Sequence, residues 1–367
     1  MPEYFSTYYF VYYLLIIAFS TLVTVLAIPS ILHVARTRHL YDDVGHFRKQ
    51  HDHGIPRLGG VAIFVSFTIT LLLFSIIDKT IPVSYLLAAS IVLFIMGLKD
   101  DLSGVNSSTK FFIQFIVATT LVILGDIRFT SMYGVLGIYN ISYVTSAVLS
   151  ILFIILIINA FNLIDGIDGL AGTTCIIVNG TFSVLFISIR HYELAAVSLS
   201  IAGATFGFLR FNLTPARIFM GDAGSLLIGL ISAIMAVKFI ELNKITEGNT
   251  SAVVSAPALT FALLMGPIFD TLRVFVLRIV KGKSPFTADR NHIHHRVLRL
   301  GYTHLQTTLI LGAINIILII MAFAFAHLGN FTLIVIILST SVLFNWAITF
   351  LLRSKERDNV SLRNLFA

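Results

Sequence analysis

ILFIILIINAFNLIDGIDGLAGTTCIIVNG, residues 151–180, joins two apolar runs through one short polar turn. Continuously apolar runs of about 20 residues are typical of membrane-spanning helices, whereas barrel strands alternate apolar and polar residues over about ten positions. The stretch therefore predicts a pair of membrane helices whose connection carries polar chemistry.

The composition extends this prediction to the whole chain. Of its 367 residues, 57% are hydrophobic and 12% are charged, and the mean hydropathy is +0.93. Soluble proteins carry about 25% charged residues, so an ordinary soluble protein is excluded. Cys175 is the single cysteine, so no intramolecular disulfide can form. Because it lies in an apolar run, a packing role is expected.

Eleven apolar stretches can be marked along the chain, several of them short. We expect an all-α, polytopic membrane helix bundle of about eleven transmembrane helices, forming one domain over residues 1–367 with a short basic tail at 353–367. No cleavable signal peptide is expected, because the chain begins without a basic region and its first apolar run is long enough to span. The stretches are 10–32, 58–77, 83–98, 111–124, 144–162, 170–188, 194–209, 225–240, 253–277, 306–325 and 331–352.

Basic residues set the expected orientation. With eleven spans, one set of gaps and the C-terminal tail carry nineteen Lys and Arg, whereas the opposite gaps carry four. The positive-inside rule then places the N-terminus outside and the C-terminus in the cytosol. Nine of the eleven histidines fall on the same cytosolic side, where we expect any chemistry. Because the basic residues flank spans, the net charge of +7 does not indicate a nucleic-acid partner.

The polar turn itself, NAFNLIDGIDGLAG, carries a carboxamide or carboxylate every three residues from Asn159 through Asn162 and Asp165 to Asp168. Gly166 and Gly169 predict that the helix opens here and exposes backbone groups to a ligand. Carboxylate and amide oxygens are costly at a membrane boundary unless they bind something, and they suit hard cations such as Mg²⁺. A turn that merely joins two helices is the plainer alternative.

Two further acidic motifs lie at the ends of spans. In GLKDDLSG, the like charges of Asp100 and Asp101 raise the cost of ionising each other, which a metal or a cation would relieve. In FMGDAGSLLIG, Asp222 stands between glycines at a predicted helix start, where an anionic ligand could bind beside a metal held by the carboxylate. The plainer alternatives are a solvated pair capping the next helix and an ordinary N-cap.

Two basic motifs share the cytosolic side. SPFTADRNHIHHRVLRLG contains Arg290, His292, His294 and His295, and RKQHDHGIPRLGG contains Arg48, Lys49, His51 and Arg57. A zinc site is disfavoured, because no cysteine is near and flanking arginines repel a divalent ion. Arg and His side chains aimed at phosphate oxygens fit the pattern better. We expect His51, Arg57, Arg290 and the three loop histidines to bind substrate.

Carboxylates for a divalent metal and cations for phosphates indicate phosphoryl transfer between a soluble nucleotide and a membrane-held acceptor. A secondary transporter for an anionic solute is the rival interpretation. It predicts broken helices and ionisable residues near the bilayer midplane. The one acid deep in a span, Asp270, has Arg273 three residues on and is expected to form a helix pair with it.

The motifs RKQHDHGIPRLGG, GLKDDL, NAFNLIDGIDGLAG, MGDAGS and ADRNHIHHR, in this order, resemble those of the polyprenyl-phosphate N-acetylhexosamine-1-phosphate transferase superfamily. The histidine loop is similar to that of the branch that uses UDP-N-acetylglucosamine. The phospho-N-acetylmuramoyl-pentapeptide transferases instead carry three consecutive histidines, whereas Ile293 separates His292 from His294 here.

The resemblance implies roles for individual residues. Asp222 and Asn162 match metal-binding positions, Asp168 falls where the family contacts uracil with Asp165 nearby, and Asp100 and Asp101 match a catalytic aspartate pair. His292, His294 and His295 match the loop that holds the pyrophosphate and the amino sugar.

The activity implied is the transfer of N-acetylglucosamine 1-phosphate from UDP-N-acetylglucosamine to undecaprenyl phosphate with release of UMP, dependent on Mg²⁺ with Mn²⁺ as a substitute. It would start a cell-envelope polysaccharide, such as a lipopolysaccharide O-antigen, at the cytosolic face of a bacterial inner membrane. Another UDP-N-acetyl sugar, or UDP-N-acetylmuramoyl-pentapeptide, is the alternative donor. The sequence leaves a homodimer open. It also leaves open a two-step route through an aspartyl phosphate, although direct in-line attack by the largely dianionic lipid phosphate is favoured.

Overall fold

The computed structural model describes residues 9–40, 54–74, 82–244, 253, 255–282 and 291–356, and the part it describes is built almost entirely of helices. Outside the helices, an isolated bridge pairs Ser131 with Asn140. The helices are α1 Tyr9–Thr37, α2 Gly59–Phe74, α3 Val83–Ser103, α4 Ser107–Ile123, α5 Tyr143–Ile164, α6 Leu170–Ser188, α7 Tyr192–Asn212, α8 Gly221–Leu242, α9 Ala256–Val280, α10 Ile293–Arg299, α11 His304–Ala324 and α12 Asn330–Glu356.

The predicted all-α class is confirmed, and within the described residues each of the eleven apolar stretches overlaps one helix. Eight of the described helices are long and apolar enough to cross a membrane, and α2 and α4 are shorter apolar helices. The chain is a multi-pass membrane protein, while the count of eleven spans and the orientation of the termini stay predictions. Residues 353–356, predicted to begin the tail, form the last turn of α12.

Helix α8 is the centre of the bundle. It packs against α5, α3, α2 and α6, and almost all of its side chains are buried. Its first turn, GDAGS, contains only small residues apart from Asp222, so α2 and α3 approach its backbone closely. A Cβ at Gly97 of α3 would lie 2.6 Å from the Ala223 Cα, and one at Gly60 of α2 would overlap the Gly224 backbone. These glycines bring the ends of three helices together around Asp222.

The opposite end of α8 is fastened to the connection between α4 and α5. The Glu241 carboxylate accepts hydrogen bonds from the Thr130 backbone N–H (2.7 Å) and from the Tyr133 hydroxyl (2.6 Å). Burial and the neighbouring carboxylate raise the pKa of Tyr133. The last turn of the central helix is therefore anchored by carboxylate hydrogen bonds.

Candidate active site

The first turn of α8 is capped by an aspartate from another helix. Gly221 adopts a left-handed φ of +72°, which turns the chain so that the N–H groups of Asp222 and Ala223 point to the Asp101 carboxylate, at 2.7 and 3.0 Å. Such a carboxylate satisfies N–H groups that have no partner within the helix and interacts favourably with the helix dipole. Asp101 thus fixes the end of α3 to the start of α8.

Lys110, in the first turn of α4, joins two of the other acids. Its Nζ lies 2.6 Å from Asp100 Oδ2 and 2.7 Å from Asp222 Oδ2. Asp100 Oδ1 also accepts the Val105 N–H at 2.6 Å, which orders the turn between α3 and α4. In the sequence, Lys110 stands out only as one of the basic residues that predict the orientation of the bundle. Its position at the start of an apolar run, ten residues after Asp100, was the available signal for a role beside the acids.

Asn162, in the last turn of α5, contacts the same acid from the other side. Its Nδ2 donates to Asp222 Oδ1 at 2.9 Å and to the Ser225 hydroxyl at 3.0 Å. The two residues predicted to share a metal are therefore neighbours. Asn159, one turn earlier, instead pairs with Gln114 of α4 at 2.7 Å and joins two helices.

The chain does open between α5 and α6, as the glycines predict. Helix α5 ends at Ile164 and α6 begins at Leu170. Gly169 adopts a left-handed φ of +80°, and its N–H is bound by Asn212 Oδ1 at 2.9 Å. Removal from water raises the pKa of Asp165 well above its ordinary value, and the nearby carboxylates of Asp222 and Asp101 reinforce the shift.

Asp168 has partners on both of its carboxylate oxygens. Oδ2 accepts the Thr214 hydroxyl at 3.2 Å, and Oδ1 lies 3.3 Å from His304 Nδ1. Burial alone would raise the pKa of Asp168, but His304, Thr214 and the Ala216 backbone together lower it. The backbone carbonyl of Asp168 also accepts the Thr308 hydroxyl at 2.9 Å, so the start of α11 is docked on this loop.

Some of these residues line a polar cavity of about 350 Å³ at the ends of the helices, whereas Asp100 and Lys110 do not. It brings together most of the acids and Asn162, with Arg57 as a cationic member. His304 was not predicted as a site residue, because the sequence gives no sign that the start of α11 reaches the loop between α5 and α6. The lining residues are Arg57, Asp101, Asn162, Asp165, Gly166, Ile167, Asp168, Asn212, Phe219, Gly221, Asp222 and His304.

Arg57 reaches the cavity because its segment pairs with the chain that leads into α8. The Pro56 carbonyl accepts the Phe219 N–H, and the Gly59 N–H donates to the Phe219 carbonyl, both at 2.9 Å. The side chain of Arg57 is exposed at the mouth of the cavity. The other two cations predicted here, His51 and Arg290, lie outside the described residues, as do Arg48 and Lys49.

The loop that carries His292, His294 and His295 packs against Gly166, one of the residues that line the cavity. His292 is buried, with Nδ1 3.1 Å from Asp270 Oδ2, and the Ile293 N–H donates to Asp270 Oδ1 at 2.9 Å. Arg273 Nη2 lies 3.5 Å from Asp270 Oδ1, so the predicted helix pair is present. Asp270 also holds the start of α10, a contact that the sequence does not predict.

His294 is only 1% exposed, and its imidazole occupies the space that a Cβ on Gly166 would take. Burial lowers the pKa of His294 to about 3, which leaves the ring neutral. His295 is half-buried beside it. Of the three loop histidines, none lines the polar cavity described above, and His294 is separated from it by the Gly166 backbone.

The cavity has the oxygen donors that a magnesium ion requires. Among the described residues, no three His, Cys, Asp or Glu side chains form a metal cage. Mg²⁺ usually takes only one or two carboxylates and completes its shell with water and substrate phosphates. Asp222 retains acceptor capacity beyond its bonds to Lys110 and Asn162, since a carboxylate has about four lone-pair positions. Asp222 with the Asn162 carbonyl therefore fits such an ion.

A bundle of apolar helices with an acidic cavity at the helix ends defines a polytopic membrane protein with a polar site suited to charged ligands. Residues 83–240 match Glycosyl transferase family 4. A probable undecaprenyl-phosphate N-acetylglucosaminyl 1-phosphate transferase of Bacillus subtilis (strain 168) is 32% identical over 82% of this chain and 82% of its own length.

Two other relatives carry related names. Decaprenyl-phosphate N-acetylglucosaminephosphotransferase of Mycolicibacterium smegmatis (strain ATCC 700084 / mc(2)155) is 33% identical over 72% of this chain and 70% of its own. Undecaprenyl-phosphate alpha-N-acetylglucosaminyl 1-phosphate transferase of Escherichia coli (strain K12) is 29% identical over 72% and 71%. The chain belongs to Glycosyl transferase family 4 and is a membrane-bound transferase.

Proposed function

We propose that this protein transfers N-acetylglucosamine 1-phosphate from UDP-N-acetylglucosamine to undecaprenyl phosphate, with release of UMP. The observation that carries the proposal is the convergence of Asp101, Asp165 and Asp222 with Asn162 and Arg57 around one cavity at the helix ends. An acidic cavity can take an anionic diphosphate only if cations accompany it. The relatives named above act on polyprenyl phosphates, and their similarity supports the substrate class.

We propose Mg²⁺ as the cofactor, held by Asp222 and Asn162, with Mn²⁺ as a substitute. When bound, the ion would supply positive charge to the donor diphosphate as negative charge shifts to the departing UMP. The distance of 2.9 Å between Asn162 Nδ2 and Asp222 Oδ1 supports the pairing, because rotation of the amide by half a turn would present its oxygen instead.

The chain's own residues have separate tasks in this reaction. An oxygen of the lipid phosphate attacks the β-phosphorus of the donor, and the bond from that phosphorus to the oxygen of UMP breaks. Arg57 neutralises charge at the mouth of the cavity, and Lys110 does so beside Asp100 and Asp222. Because a phosphate monoester is largely dianionic at neutral pH, alignment and charge neutralisation matter more than a strong base.

The hydrogen bonds of Asp101 point to a structural role for its carboxylate. Its carboxylate is committed to two backbone N–H groups of α8, so it positions Asp222 rather than contacting the acceptor. Asp100 does not bind the α8 backbone and is joined to Asp222 through Lys110, so it is the candidate to orient the acceptor phosphate. The two adjacent aspartates thus have different proposed roles: Asp101 positions Asp222, and Asp100 orients the acceptor phosphate.

The test is a reconstituted reaction with purified protein in detergent, undecaprenyl phosphate, Mg²⁺ and radiolabelled UDP-sugars. We expect UMP release and labelled lipid with UDP-N-acetylglucosamine, and neither product without the acceptor. Labelled lipid only with UDP-N-acetylgalactosamine or with UDP-N-acetylmuramoyl-pentapeptide would overturn the donor assignment. Uptake of intact UDP-sugar into proteoliposomes without UMP release would favour the transporter.

We also propose that the cavity faces the cytosol of a bacterial inner membrane. The excess of basic residues on the side of the chain that holds Arg57, Lys110 and Arg217 supports this orientation. A cytosolic cavity would meet nucleotide sugars where they are made.

A further inference from the structure

Helix α10, which carries His294 and His295, is too short to hold its position alone. It has seven residues, and isolated helices of fewer than about 12 residues are marginal in water. Its place in the molecule therefore depends on its neighbours. Asp270 of α9 binds its first turn, and the rest of the helix packs against α11 and α12. Among the described residues of α12, none lines the polar cavity.

A buried arginine links α10 to α12. Arg296 is 1% exposed, and its Nη1 donates to Asn345 Oδ1 at 2.5 Å while Nη2 donates to the Thr349 hydroxyl. The Thr349 hydroxyl donates its own hydrogen to the Asn345 carbonyl at 2.9 Å, which leaves its oxygen to accept. Because Asn345 and Thr349 are four residues apart, they lie on one face of α12, where the planar guanidinium can reach both.

Arg296 keeps its charge in this buried position. Burial lowers the pKa of its guanidinium to about 10, and Arg273 and Arg299 reinforce the shift, whereas Asp270 opposes it. The group therefore stays protonated at neutral pH. Burial of a charge is costly unless its hydrogen bonds are made, so the guanidinium favours the arrangement of α10 and α12 in which both acceptors are in reach.

Two further contacts hold the same pair of helices. Lys355, in the last turn of α12, donates to the Leu300 carbonyl at 2.9 Å and so satisfies the C-terminal end of α10. The two helices also share a small apolar cluster, formed by Ile293, Val297, Ile348 and Leu352. Helix α12 thus contacts α10 along its whole length.

His294 connects α10 to the wall of the cavity. Its buried imidazole lies so close to Gly166 that a Cβ there would be 2.4 Å from Nε2. Gly166 lines the cavity and stands between Asp165 and Ile167, which line it too. A shift of α10 would therefore either press on this loop or leave it without support.

We infer that Arg296 is a positioning residue: it fixes α10 on α12, and α10, through His294, fixes the loop between α5 and α6 that lines the cavity. Arg296 itself does not line the cavity. The inference rests on the proposed function in one respect, because UMP, the product of the proposed reaction, is the probe for the geometry of that loop.

The experiment is calorimetric titration of the full-length protein in detergent with UMP, at a temperature where every variant is folded. Arg296→Met removes the guanidinium but keeps an unbranched side chain, and it should bind UMP at least about fivefold more weakly, within the range found for residues that act through others. Replacing both acceptors, Asn345→Leu with Thr349→Val, should give a similar loss. Unchanged affinity in either protein would overturn the inference.

The matched control is Arg299→Gln, which replaces an exposed arginine on the same helix. It should bind UMP within about twofold of the wild type, because surface substitutions have small effects. A loss equal to that of Arg296→Met would mean that any change of charge on α10 weakens binding, and it would overturn the inference.

A double-mutant cycle tests the path through His294. His294→Ala should weaken UMP binding by itself, and Arg296→Met should then have no further effect, because α10 no longer touches Gly166. Additive losses would mean that Arg296 acts on the site by another path and would overturn the inference.

Loss of stability alone is a different result. A residue that only stabilises the fold lowers the thermal unfolding midpoint and leaves the UMP affinity of the folded protein unchanged, and that outcome for Arg296→Met would overturn the inference. If Arg296→Met does not fold, Thr349→Val gives the deciding measurement, because it removes one acceptor with little change of shape. It should also weaken UMP binding, and wild-type affinity would count against the inference.

Failure of the proposed function is recognised separately. Wild-type protein that neither binds UMP nor releases it from UDP-N-acetylglucosamine overturns that function. Hydrogen exchange of the loop amides then decides the inference, since the Gly169 N–H is held by Asn212 in the wild type. Faster exchange over residues 165–169 in Arg296→Met than in Arg299→Gln supports the positioning role, and equal exchange overturns it.

Discussion

Lys110 and Asp222, 112 residues apart in the chain, are joined by an ion pair of 2.7 Å at the wall of the cavity. The same ammonium group is 2.6 Å from Asp100, so one lysine neutralises two acids that belong to different helices. At the proposed magnesium site, such a group would compete with the divalent cation for Asp222 and would replace part of its charge when the cation is absent.

Lys110→Gln should therefore lower kcat/KM by about tenfold or more, since hydrogen bonds between charged groups contribute about 1.5–3 kcal/mol. It should also lower the Mg²⁺ concentration for half-maximal rate, because the competing ammonium is gone. Lys99→Gln removes an exposed lysine from α3 and is the control, expected to stay within twofold of the wild type. Unchanged kcat/KM in Lys110→Gln would remove Lys110 from the site.

Asp222→Ala should reduce turnover by at least about a hundredfold, more than is usual for residues that only support a metal ligand. The carboxylate is the meeting point of Lys110 and Asn162, and no other described acid occupies that position. Turnover measured across a Mg²⁺ titration is the assay, with Asp126→Asn, an exposed acid in the connection after α4, as the control. Wild-type turnover with the same Mg²⁺ dependence would place the metal elsewhere.

Gly166→Ala should disturb the packing between the cavity and the histidine loop. The added methyl group would overlap the His294 imidazole, and overpacking of this kind costs about 1–3 kcal/mol. We expect a lower thermal unfolding midpoint and a loss of activity. Gly180→Ala is the matched control, because nothing lies within 4 Å of its Cβ position in α6 and alanine favours the helix.

The contact itself can be tested by a second substitution. Combining Gly166→Ala with His294→Ala removes the imidazole that the methyl group would overlap. The drop in unfolding midpoint of the double variant should therefore be smaller than the sum of the drops of the two single variants. Strict additivity of the two changes would show that they do not touch.

His294 gives the protein a dependence of stability on pH. Burial lowers the pKa of its imidazole to about 3; Asp270 opposes this shift, while His295, His292 and His304 reinforce it. The unfolded chain, with an imidazole pKa near 6.5, binds more protons than the folded protein between about pH 3 and 6.5, so stability falls as the pH drops through this range.

Wild-type protein in detergent should therefore lose more of its unfolding midpoint between pH 7 and pH 5 than the His294→Gln variant does. The exposed His327→Gln variant should behave like the wild type. An equal drop in all three proteins would mean that His294 is protonated without cost in the folded state.

The orientation of the bundle can be tested by labelling single introduced cysteines. Cys175 is buried and is the only cysteine in the sequence, so replacing it by alanine gives a background for single cysteines. With a membrane-impermeant maleimide, Asp126→Cys should be labelled in intact cells and Lys99→Cys only after permeabilisation. The reverse pattern would place the cavity outside the cytosol.

The sequence was sufficient for the helices and for the opening at the polar turn, because both depend on local signals. Apolar runs determine where membrane helices lie, and Gly166 and Gly169 mark the turn within a few residues of where α5 ends. These are properties that a single segment carries in its own composition.

The partners of the acids could not be predicted in the same way. Lys110 meets Asp222 only because the turn after α3 brings α4 beside α8, and His304 meets Asp168 only because α11 docks on a loop 140 residues earlier. Likewise, the sequence grouped His292 and His294 with exposed cations, whereas packing against Asp270 and Gly166 buries them. Such contacts depend on which helices pack side by side, and a single segment of sequence does not specify that.

The central position of α8 has a consequence for assembly during synthesis. The helices that pack most extensively against it are α2, α3, α5, α6 and α7, which precede it in the chain, and α9, which follows. Helix α4, whose Lys110 contacts Asp222, also precedes it. When α8 is synthesised, the glycines that accommodate its first turn and Asp101, which caps it, have already been made, because they precede it in the chain. The acids around Asp222 can therefore come together as soon as α8 is inserted, and α11 adds His304 to the cavity wall later. Shortened chains that end soon after α9 should already hold Asp222 in place.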